Sequence, residues 1–563
     1  MRLRSTADGQ PAVRAEAPAA PPSAQETGLG RAGLRAVGRG KAGLRGISPG
    51  AALRRHWLLA VLLTAGLVMR VLAQIAYRPA LLYIDSIKYL YIALGADPVG
   101  YRVLLKPLLT VGNLDLVAAV QHLLGLAMAV ALYLLMRRRG VSRWLAALAT
   151  APILLDAYQL QIEQTIMPDT LFEALIVTGL VLLLWQPKPT RWMIIGGGIA
   201  LGASATVAEI GEFLILPAVI YLLVAVPGWR AKLTQGIALC AAFALPIVFY
   251  SSVSLADNGH FSLAPSTGTN QLYGRLVLAT NCHALSLPGY EQALCPTHQQ
   301  AAALGIDGLV HDRTSPLRRY VPPPGMSFQG IVSNFDHRLE MHDPVGIALA
   351  IGKDAVQLFA VRRVQNPEDT PIARWQFQDH YPQYKPYVTI SHGQLQLAQQ
   401  PTGVVQVLGR GQPFGGGNPV AVKPLAKFLR AYQLDGGYTP GPLFLFCVVA
   451  GLLGSLAVGR RRATAAQRAT ASACLLVIVA GAAVLLSSDV FQFTWRYQLP
   501  ALITLPPAGA LGLTVIAGYF AARHRQRASQ ELPHRLGTRP RPPRARRRAE
   551  AAPPGEANPE RAR

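Results

Sequence analysis

Two carboxylates and an arginine stand at the edges of long apolar segments, where their side chains could serve a reaction. Asp85 lies in "LLYIDSIKYLYIA" just after the first long apolar run, Asp169 lies in "IMPDTLFEAL", and Arg496 lies in "FTWRYQLP" before the last run. An ionised side chain at membrane depth costs free energy unless it is solvated, paired or used. A carboxylate can accept a proton from a hydroxyl group, and a guanidinium can bind two oxygens of a phosphate. These residues could form one reaction centre if the apolar segments bundle so that their ends meet.

The elements that must position them are membrane helices. The chain is 51% hydrophobic and only 15% charged, which is too apolar for an ordinary soluble protein. Windows of about twenty residues predict spans at 57–77, 114–136, 144–158, 170–185, 192–208, 213–226, 233–252, 442–458, 471–486 and 499–520. The predicted fold is therefore an all-α polytopic membrane protein of about ten transmembrane helices. A mixed α/β or irregular extracytoplasmic domain is expected between the seventh and eighth spans.

The connections between these spans alternate in charge. The segments 137–143, 186–192, 227–232, 459–468 and 522–527 are basic. By the positive-inside rule they are cytoplasmic, so the connections that carry the acids face outward. This predicts a multi-pass plasma-membrane protein with both termini in the cytoplasm.

Five regions follow from this division of the chain. Residues 1–55 and 521–563 are basic tails predicted to be disordered. Residues 56–253 are predicted to form an N-terminal transmembrane module with the catalytic outward loops, and residues 442–520 a C-terminal transmembrane module. Residues 254–441 between them are predicted to form the extracytoplasmic domain. The tails carry fifteen of the 25 net positive charges. They are expected to anchor on anionic lipid rather than on nucleic acid, because no aromatic residues are interleaved with their arginines. The extracytoplasmic domain contains an aromatic, polar run, "RWQFQDHYPQYKPY" (374–387).

Two of the five cysteines fall in the outward domain. Cys282 and Cys295 are close in sequence and lie in an oxidising compartment, so a structural disulfide is expected. The alternative is a metal site that also uses His283 and His298, but the spacing matches no established zinc pattern.

Each charged residue also has a purely structural interpretation. Asp85 could cap the helix that begins at "SIKYL", and Asp169, which follows Pro168, could favour the positive end of a helix dipole. Arg496 could extend to lipid headgroups. Arg70, inside the first span, is expected either to reach the membrane surface or to pair with an acid.

Five segments in order along the chain carry a family resemblance. They are "YIDSIKYLYIA", "VGYRVLLKPLL", "VQHLLGLAMAVALYLLMRRRG", "YQLQIEQTIMPDTLFEALI" and "FTWRYQLPALITLPPAGAL". This series resembles the multi-span, phospholipid-carrier-dependent glycosyltransferases of the C-type superfamily, which includes the protein O-mannosyltransferases and the aminoarabinose transferase. The resemblance is to an actinobacterial-looking branch and covers residues 57–250 and 438–520.

The resemblance assigns roles to the acids. Asp85 matches the catalytic carboxylate of the first outward loop, although many members carry two adjacent acids there and this chain has Asp-Ser. Asp169 matches the acid of the second outward loop, with Glu163 upstream. Glu163 and Asp169 would position the acceptor, supply a second acid or help to hold a divalent cation. Whether a metal is used stays open, and no metal-binding residue is assigned.

The resemblance also indicates which residues bind the phosphate of the donor. Arg496 and Tyr497 match positions that face this phosphate in the family, and Arg102 and Lys88 are second choices. The donor would be a sugar on polyprenyl phosphate, and the acceptor would be a hydroxyl group of a protein or a cell-envelope glycan. Asp85 would take the hydroxyl proton as general base, and single displacement would invert the anomeric carbon. A phosphate leaves as a stable anion, so no general acid is needed.

Two other functions remain open. A transporter or flippase of lipid-linked sugars would suit the number of spans, but transporters place their polar residues near the bilayer midplane or in inverted repeats. A non-catalytic membrane scaffold would leave the outward acids without a role.

Overall fold

The structure is a computed structural model, and it describes residues 50, 54–83, 85–91, 98–263, 267–366, 369–382, 388–391, 394–397, 419–460 and 463–535. The chain divides into two units, Met1–His56 and Trp57–Arg563. Nearly all described residues belong to the second unit. The disorder predicted for residues 1–55 and for the end of the C-terminal tail falls largely on residues outside the described ranges.

The described residues are mostly helical. The first membrane module contains α1 (Trp57–Ala76), α2 (Ser86–Tyr91), α3 (Arg102–Val111), α4 (Leu114–Arg138), α5 (Arg143–Leu155), α6 (Ala157–Gln164), α7 (Asp169–Leu184), α8 (Arg191–Ala205), α9 (Ile215–Ala225) and α10 (Trp229–Asn258). The outward domain contains α11 (Thr267–Ala279), α12 (Gly289–Gln292), α13 (His298–His311), α14 (Pro316–Arg319), α15 (Phe328–His342), α16 (Pro344–Gln357) and α17 (Lys423–Leu434). The last three helices are α18 (Gly441–Ser455), α19 (Ala465–Phe491) and α20 (Ala501–Arg535).

Six of the ten expected spans are helices long and apolar enough to cross a membrane, counted over the described residues. They are α1, α4, α10, α18, α19 and α20. The helices α5 and α6 meet at a 51° bend and together would make a seventh span. At 16, 15 and 11 residues, α7, α8 and α9 are too short to cross a bilayer of ordinary thickness unaided. The count of ten spans therefore stays a prediction.

Hydrogen bonds between helix termini define two ends of the bundle. Arg139, which follows α4, donates from Nε to the carbonyl of Leu184 in α7 at 2.7 Å. The backbone carbonyl of Arg139 in turn accepts from Thr470 Oγ1 in α19 at 3.1 Å. These contacts bring the C-termini of α4 and α7 to the N-terminus of α19. The beginning of α7 and the end of α19 must then share the opposite end, which is where Asp169 and Arg496 lie.

Small residues allow the C-terminal helices to pack closely. A Cβ added to Gly512 in α20 would collide with the backbone of Ala450 in α18, and one added to Gly454 would meet the backbone of Gly512. The long helix α20 also continues to Arg535, beyond the expected end of its span at residue 520. Residues 521–530, "AARHRQRASQ", are mostly good helix formers, which accounts for helix where a disordered tail was expected.

The described part of the outward domain is largely helical, with two short strand pairs. Strand β1 (Tyr77–Arg78) pairs antiparallel with β4 (Val420–Ala421), and β2 (Val388–Ser391) pairs with β3 (Gln394–Leu397). Helices α11, α13 and α15 enclose a separate apolar core that includes Tyr273 and Phe335. Cys282 and Cys295 form a disulfide beside this core.

Candidate active site

The loop that carries Asp85 is held by the loop that precedes Asp169. The backbone N–H of Leu81 donates to the carbonyl of Gln164 at 2.9 Å, and the N–H of Ile166 donates to the carbonyl of Leu81 at 2.9 Å. Ser86 Oγ donates to the carbonyl of Ile166 at 2.9 Å. Leu81 and Ser86 are thereby fixed against the chain that leads into α7. This pairing brings the first two outward loops together.

Arg496 joins the two acids. It lies in the turn between α19 and α20, and its guanidinium donates two hydrogen bonds to Asp169, from Nε to Oδ1 at 2.7 Å and from Nη2 to Oδ2 at 2.9 Å. Its third nitrogen, Nη1, lies 3.7 Å from Asp85 Oδ2. The exposed fractions of these side chains are 9% for Arg496, 13% for Asp169 and 29% for Asp85. Asp85 is therefore the most accessible of the three.

The charge of Arg496 is stabilised by its neighbours. Burial alone would lower the pKa of Arg496, but the carboxylates of Asp169 and Asp85 and the phenol of Tyr497 hold it above its ordinary value. The guanidinium is thus a permanent cation at this end of the bundle.

Aromatic rings pack around the cation, and one of them, Trp375, comes from the outward domain. The Arg496 guanidinium lies 5.1 Å from the ring of Trp375 and 5.3 Å from the ring of Tyr497. The Trp375 ring in turn packs on Tyr83 with 4.7 Å between centroids. Burial raises the pKa of Tyr83 to about 12, so this phenol stays protonated. These rings exclude water around the charged groups, which strengthens their electrostatic interactions.

An ion pair attaches this aromatic cover to the body of the outward domain. Arg374 lies 3.0 Å from Asp307 of α13 through Nη2 and donates from Nη1 to the Tyr83 hydroxyl at 3.4 Å. Burial opposes the charge of Asp307, but hydrogen bonds from His311 and Arg374 bring its pKa below the ordinary value. The segment Ile372–Trp375 is therefore connected both to α13 and to the loop of Asp85.

Glu163 does not join this centre. Its carboxylate is fully buried in the bundle and accepts from Arg70 Nη2 at 2.8 Å through Oε1. The second oxygen, Oε2, lies 2.9 Å from His122 Nδ1, and Gln159 Nε2 donates to Oε1 at 3.2 Å. The acid assigned to acceptor positioning is thus engaged in an interior network.

Gly125 makes that network possible. A Cβ at this position of α4 would collide with the Glu163 carboxylate and the Arg70 guanidinium. Arg70 also donates from Nη1 to the carbonyl of Leu154 at 2.9 Å. Arg70 therefore pairs with an acid instead of reaching the membrane surface.

Two of the remaining phosphate candidates, Arg102 and Lys88, lie on short helices. Arg102 is the first residue of α3 and is half-buried, and the N–H of Gly100 before it donates to the carbonyl of Thr206 at 2.9 Å. Lys88 lies in α2, but its side chain is outside the part of the chain that the structure describes. Tyr497 lines a cleft beside Asp169 and Arg496.

Two residues of this region were not singled out from the sequence. Glu173, one helical turn after Asp169, lines the same cleft and is fully buried, with Gln159 Nε2 donating to its Oε2 at 2.8 Å. Glu173 lies four residues after Asp169, so helical periodicity alone places both residues on the same face of α7. Trp375 belongs to the aromatic run of residues 374–387, but nothing in its spacing points to Arg496.

The carboxylates expected to help with a divalent cation are engaged in ion pairs. Both oxygens of Asp169 accept from Arg496, and both oxygens of Glu163 contact Arg70 or His122. Among the described residues, the group spaced for a metal is Cys282, His283 and Cys295, whose two cysteines form the disulfide. In this arrangement Asp169 is paired with Arg496, and Glu163 is paired with Arg70.

Comparison with known proteins supports one family. The family model of dolichyl-phosphate-mannose-protein mannosyltransferases matches residues 110–260. The matched segment runs from the end of α3 through α10 and contains Glu163 and Asp169, but it lacks Asp85 and Arg496. No individual curated protein matches the chain significantly.

A solved structure gives a weaker likeness. The chain has 14% sequence identity and a TM-score of 0.30 to a protein in the structure of the S. cerevisiae protein O-mannosyltransferase Pmt1–Pmt2 complex bound to the sugar donor. The likeness covers 42% of this chain and 38% of that chain, well under two thirds of its length, and at this TM-score it carries no argument. Residues 110–260 are thus similar to the dolichyl-phosphate-mannose-protein mannosyltransferases.

Proposed function

We propose that this protein is a membrane glycosyltransferase that transfers a sugar from a polyprenyl phosphate to a hydroxyl acceptor on the extracytoplasmic face. The observation that carries the proposal is the meeting of Asp85, Asp169 and Arg496, which come from three separate connections between helices. The similarity of residues 110–260 to the mannosyltransferase family supports the class of reaction and makes mannose the first sugar to test.

Asp85 acts as the general base. Its carboxylate is the most exposed acid of the centre and is close to the cation, so an acceptor hydroxyl can reach it. As the acceptor oxygen attacks the anomeric carbon, its proton moves to Asp85, a C–O bond forms, and the bond between that carbon and the phosphate oxygen breaks. The electron pair leaves with polyprenyl phosphate. The anomeric carbon is inverted because only one displacement occurs.

Arg496 stabilises the leaving phosphate. Asp169 occupies Nε and Nη2 of the guanidinium, which fixes its plane and turns Nη1 toward Asp85. A phosphate oxygen bound at Nη1 would hold the anomeric carbon close to Asp85, and inversion requires the acceptor hydroxyl to attack that carbon from the face opposite the phosphate. Preorganised positive charge at this point stabilises the transition state more than the bound donor, because negative charge develops on the phosphate as the bond breaks.

Two further cations, Arg102 on α3 and Lys88 on α2, are proposed as secondary contacts to the donor phosphate. The acceptor is a hydroxyl group of a protein or a cell-envelope glycan, and the outward domain forms part of its site. A divalent cation is not required by this scheme, because Arg496 serves the leaving group.

Reconstitution of the full chain tests the proposal. Purified protein in liposomes receives polyprenyl-phosphate mannose with a labelled sugar, together with a Ser/Thr-rich peptide. We expect label on the peptide and the stoichiometric release of polyprenyl phosphate. Movement of labelled lipid across the bilayer with no release of polyprenyl phosphate would identify a flippase and overturn the proposal.

A further inference from the structure

The indole N–H of Trp375 is a buried hydrogen-bond donor without an acceptor. The side chain is only 4% exposed, and its Nε1 has no hydrogen-bond partner within the described ranges of the chain. Trp495, which is also 4% exposed, behaves in the usual way, because its Nε1 donates to the carbonyl of Val364 at 3.1 Å. A buried polar group left unpaired costs stability, so an orphan of this kind at a binding site indicates a missing partner.

The position of Trp375 is fixed from both sides. The Gln433 side chain of α17 donates from Nε2 to the carbonyl of Trp375 at 3.0 Å and accepts from the N–H of Phe377 at 2.7 Å. The ring itself lies against the Arg496 guanidinium and against Tyr83. The unpaired donor is therefore held within the same cluster of side chains as the guanidinium and Asp85.

We infer that the indole N–H of Trp375 binds an oxygen of the sugar phosphate of the donor. This inference rests on the proposed function and adds to it a donor-binding residue that the outward domain contributes. The acceptor atom is either a phosphate oxygen or a sugar hydroxyl oxygen, since both accept hydrogen bonds and both belong to the molecule that Arg496 holds. A bound donor would accept a hydrogen bond from the indole N–H. The free energy lost by burying this N–H without a partner would then be recovered when the donor binds.

Trp375→Phe separates this role from a structural one. Phenylalanine keeps an aromatic ring against Arg496 but removes the N–H together with part of the indole ring. We expect the KM for the donor to rise about five- to tenfold, with the KM for the acceptor peptide unchanged. The cavity left by the smaller ring lowers the unfolding temperature without donor, but by less than in the control described next, because Trp375→Phe also removes an unsatisfied polar group. Trp495→Phe is the matched control, and it should lower the unfolding temperature because it leaves the carbonyl of Val364 unpaired.

Inhibition by polyprenyl monophosphate distinguishes the two oxygens. If the N–H binds phosphate, Trp375→Phe weakens this inhibitor by the same factor as the donor; if it binds the sugar, only the donor is affected. Either pattern supports the inference. The inference is overturned if the wild type transfers sugar and Trp375→Phe has the same KM for the donor. It is also overturned if Trp375→Phe loses as much thermal stability as Trp495→Phe. No transfer by the wild type would instead remove the proposed function itself.

Discussion

Arg70 in α1 and Glu163 in α6 form an ion pair of 2.8 Å in the interior of the bundle, and their side chains are 1% and 0% exposed. Carbonyl groups of Ile153 and Leu154 accept further hydrogen bonds from the same guanidinium. A charge at this depth is tolerated only when it is paired and hydrogen-bonded. The pair therefore fixes the first span against the bent helices α5 and α6, whose far end leads to Asp169.

Replacing one partner of this pair should destabilise the whole membrane module. Glu163→Gln leaves the Arg70 guanidinium buried without a counter-charge, which costs about 3–5 kcal/mol in comparable buried pairs. We expect a clearly lower unfolding temperature in detergent micelles. The double variant Arg70→Met with Glu163→Gln buries no charge and should regain part of the loss. A Glu163→Gln protein as stable as the wild type would contradict this account.

Asp85→Asn tests the proposed base. The amide keeps the size of the side chain but cannot accept a proton, so we expect the rate of transfer to fall by about 10²–10⁴-fold. Because Asp85 is partly exposed, expression and unfolding temperature should change little. The exposed Asp435 gives a control, and Asp435→Asn should keep the wild-type rate. Unchanged turnover of labelled donor by Asp85→Asn would remove this residue from the mechanism.

Arg496 and Asp169 should act as one unit. Arg496→Lys keeps the charge but loses the two parallel hydrogen bonds to Asp169, so we expect a higher KM for the donor and a smaller change for the acceptor. Asp169→Asn should shift the same parameter because it frees the guanidinium to rotate. In the double variant the two effects should not add, since both remove the same orientation. Additive losses, or equal effects on donor and acceptor, would argue against a phosphate role.

Asp336 in α15 should make stability depend on pH. Its side chain is 3% exposed, and neither carboxylate oxygen has a hydrogen-bond partner among the described residues. Burial, with a smaller effect of Glu340, raises the pKa of Asp336 from 3.8 to about 8. Between these values the unfolded chain loses the proton and the folded chain keeps it, so the contribution to stability falls as pH rises from about 4 to 8.

The neutral variant Asp336→Asn should remove this dependence. Each pKa unit corresponds to about 1.4 kcal/mol, so the variant should be more stable than the wild type at pH 8 by several kcal/mol at most. The difference should shrink toward zero as the pH falls to 4. Unfolding temperatures of both proteins across this range measure the effect. Parallel curves for the two proteins would show that Asp336 is solvated in the folded state.

The sequence was informative where helix ends determine position. Asp85, Asp169 and Arg496 each follow or precede an apolar run, and the alternation of basic connections predicts that all three lie at one end of the bundle. In the structure Arg496 is hydrogen-bonded to Asp169 and lies 3.7 Å from Asp85, which are contacts that a shared end alone does not specify. The position of Glu163 could not be predicted in this way, because it lies in α6, a short helix bent by 51° from α5. Its carboxylate contacts Arg70 and His122 and not the Asp85 and Arg496 centre.

Contacts that depend on the outward domain could not be predicted in the same way. Trp375 reaches Arg496 because Gln433 and the Arg374–Asp307 pair fix the segment Ile372–Trp375, and these partners are far apart in sequence. Periodicity gives the face of a helix but not which distant loop will cover it.

The hydrogen bonds between Arg496 and Asp169 join residues 327 positions apart in sequence. During synthesis both carboxylates are made and inserted long before the ribosome reaches the codon for the arginine. Under the proposed mechanism, an unfinished chain therefore has the base but lacks the group that stabilises a departing phosphate. The same mechanism requires synthesis to pass Arg496 before donor lipid can be consumed.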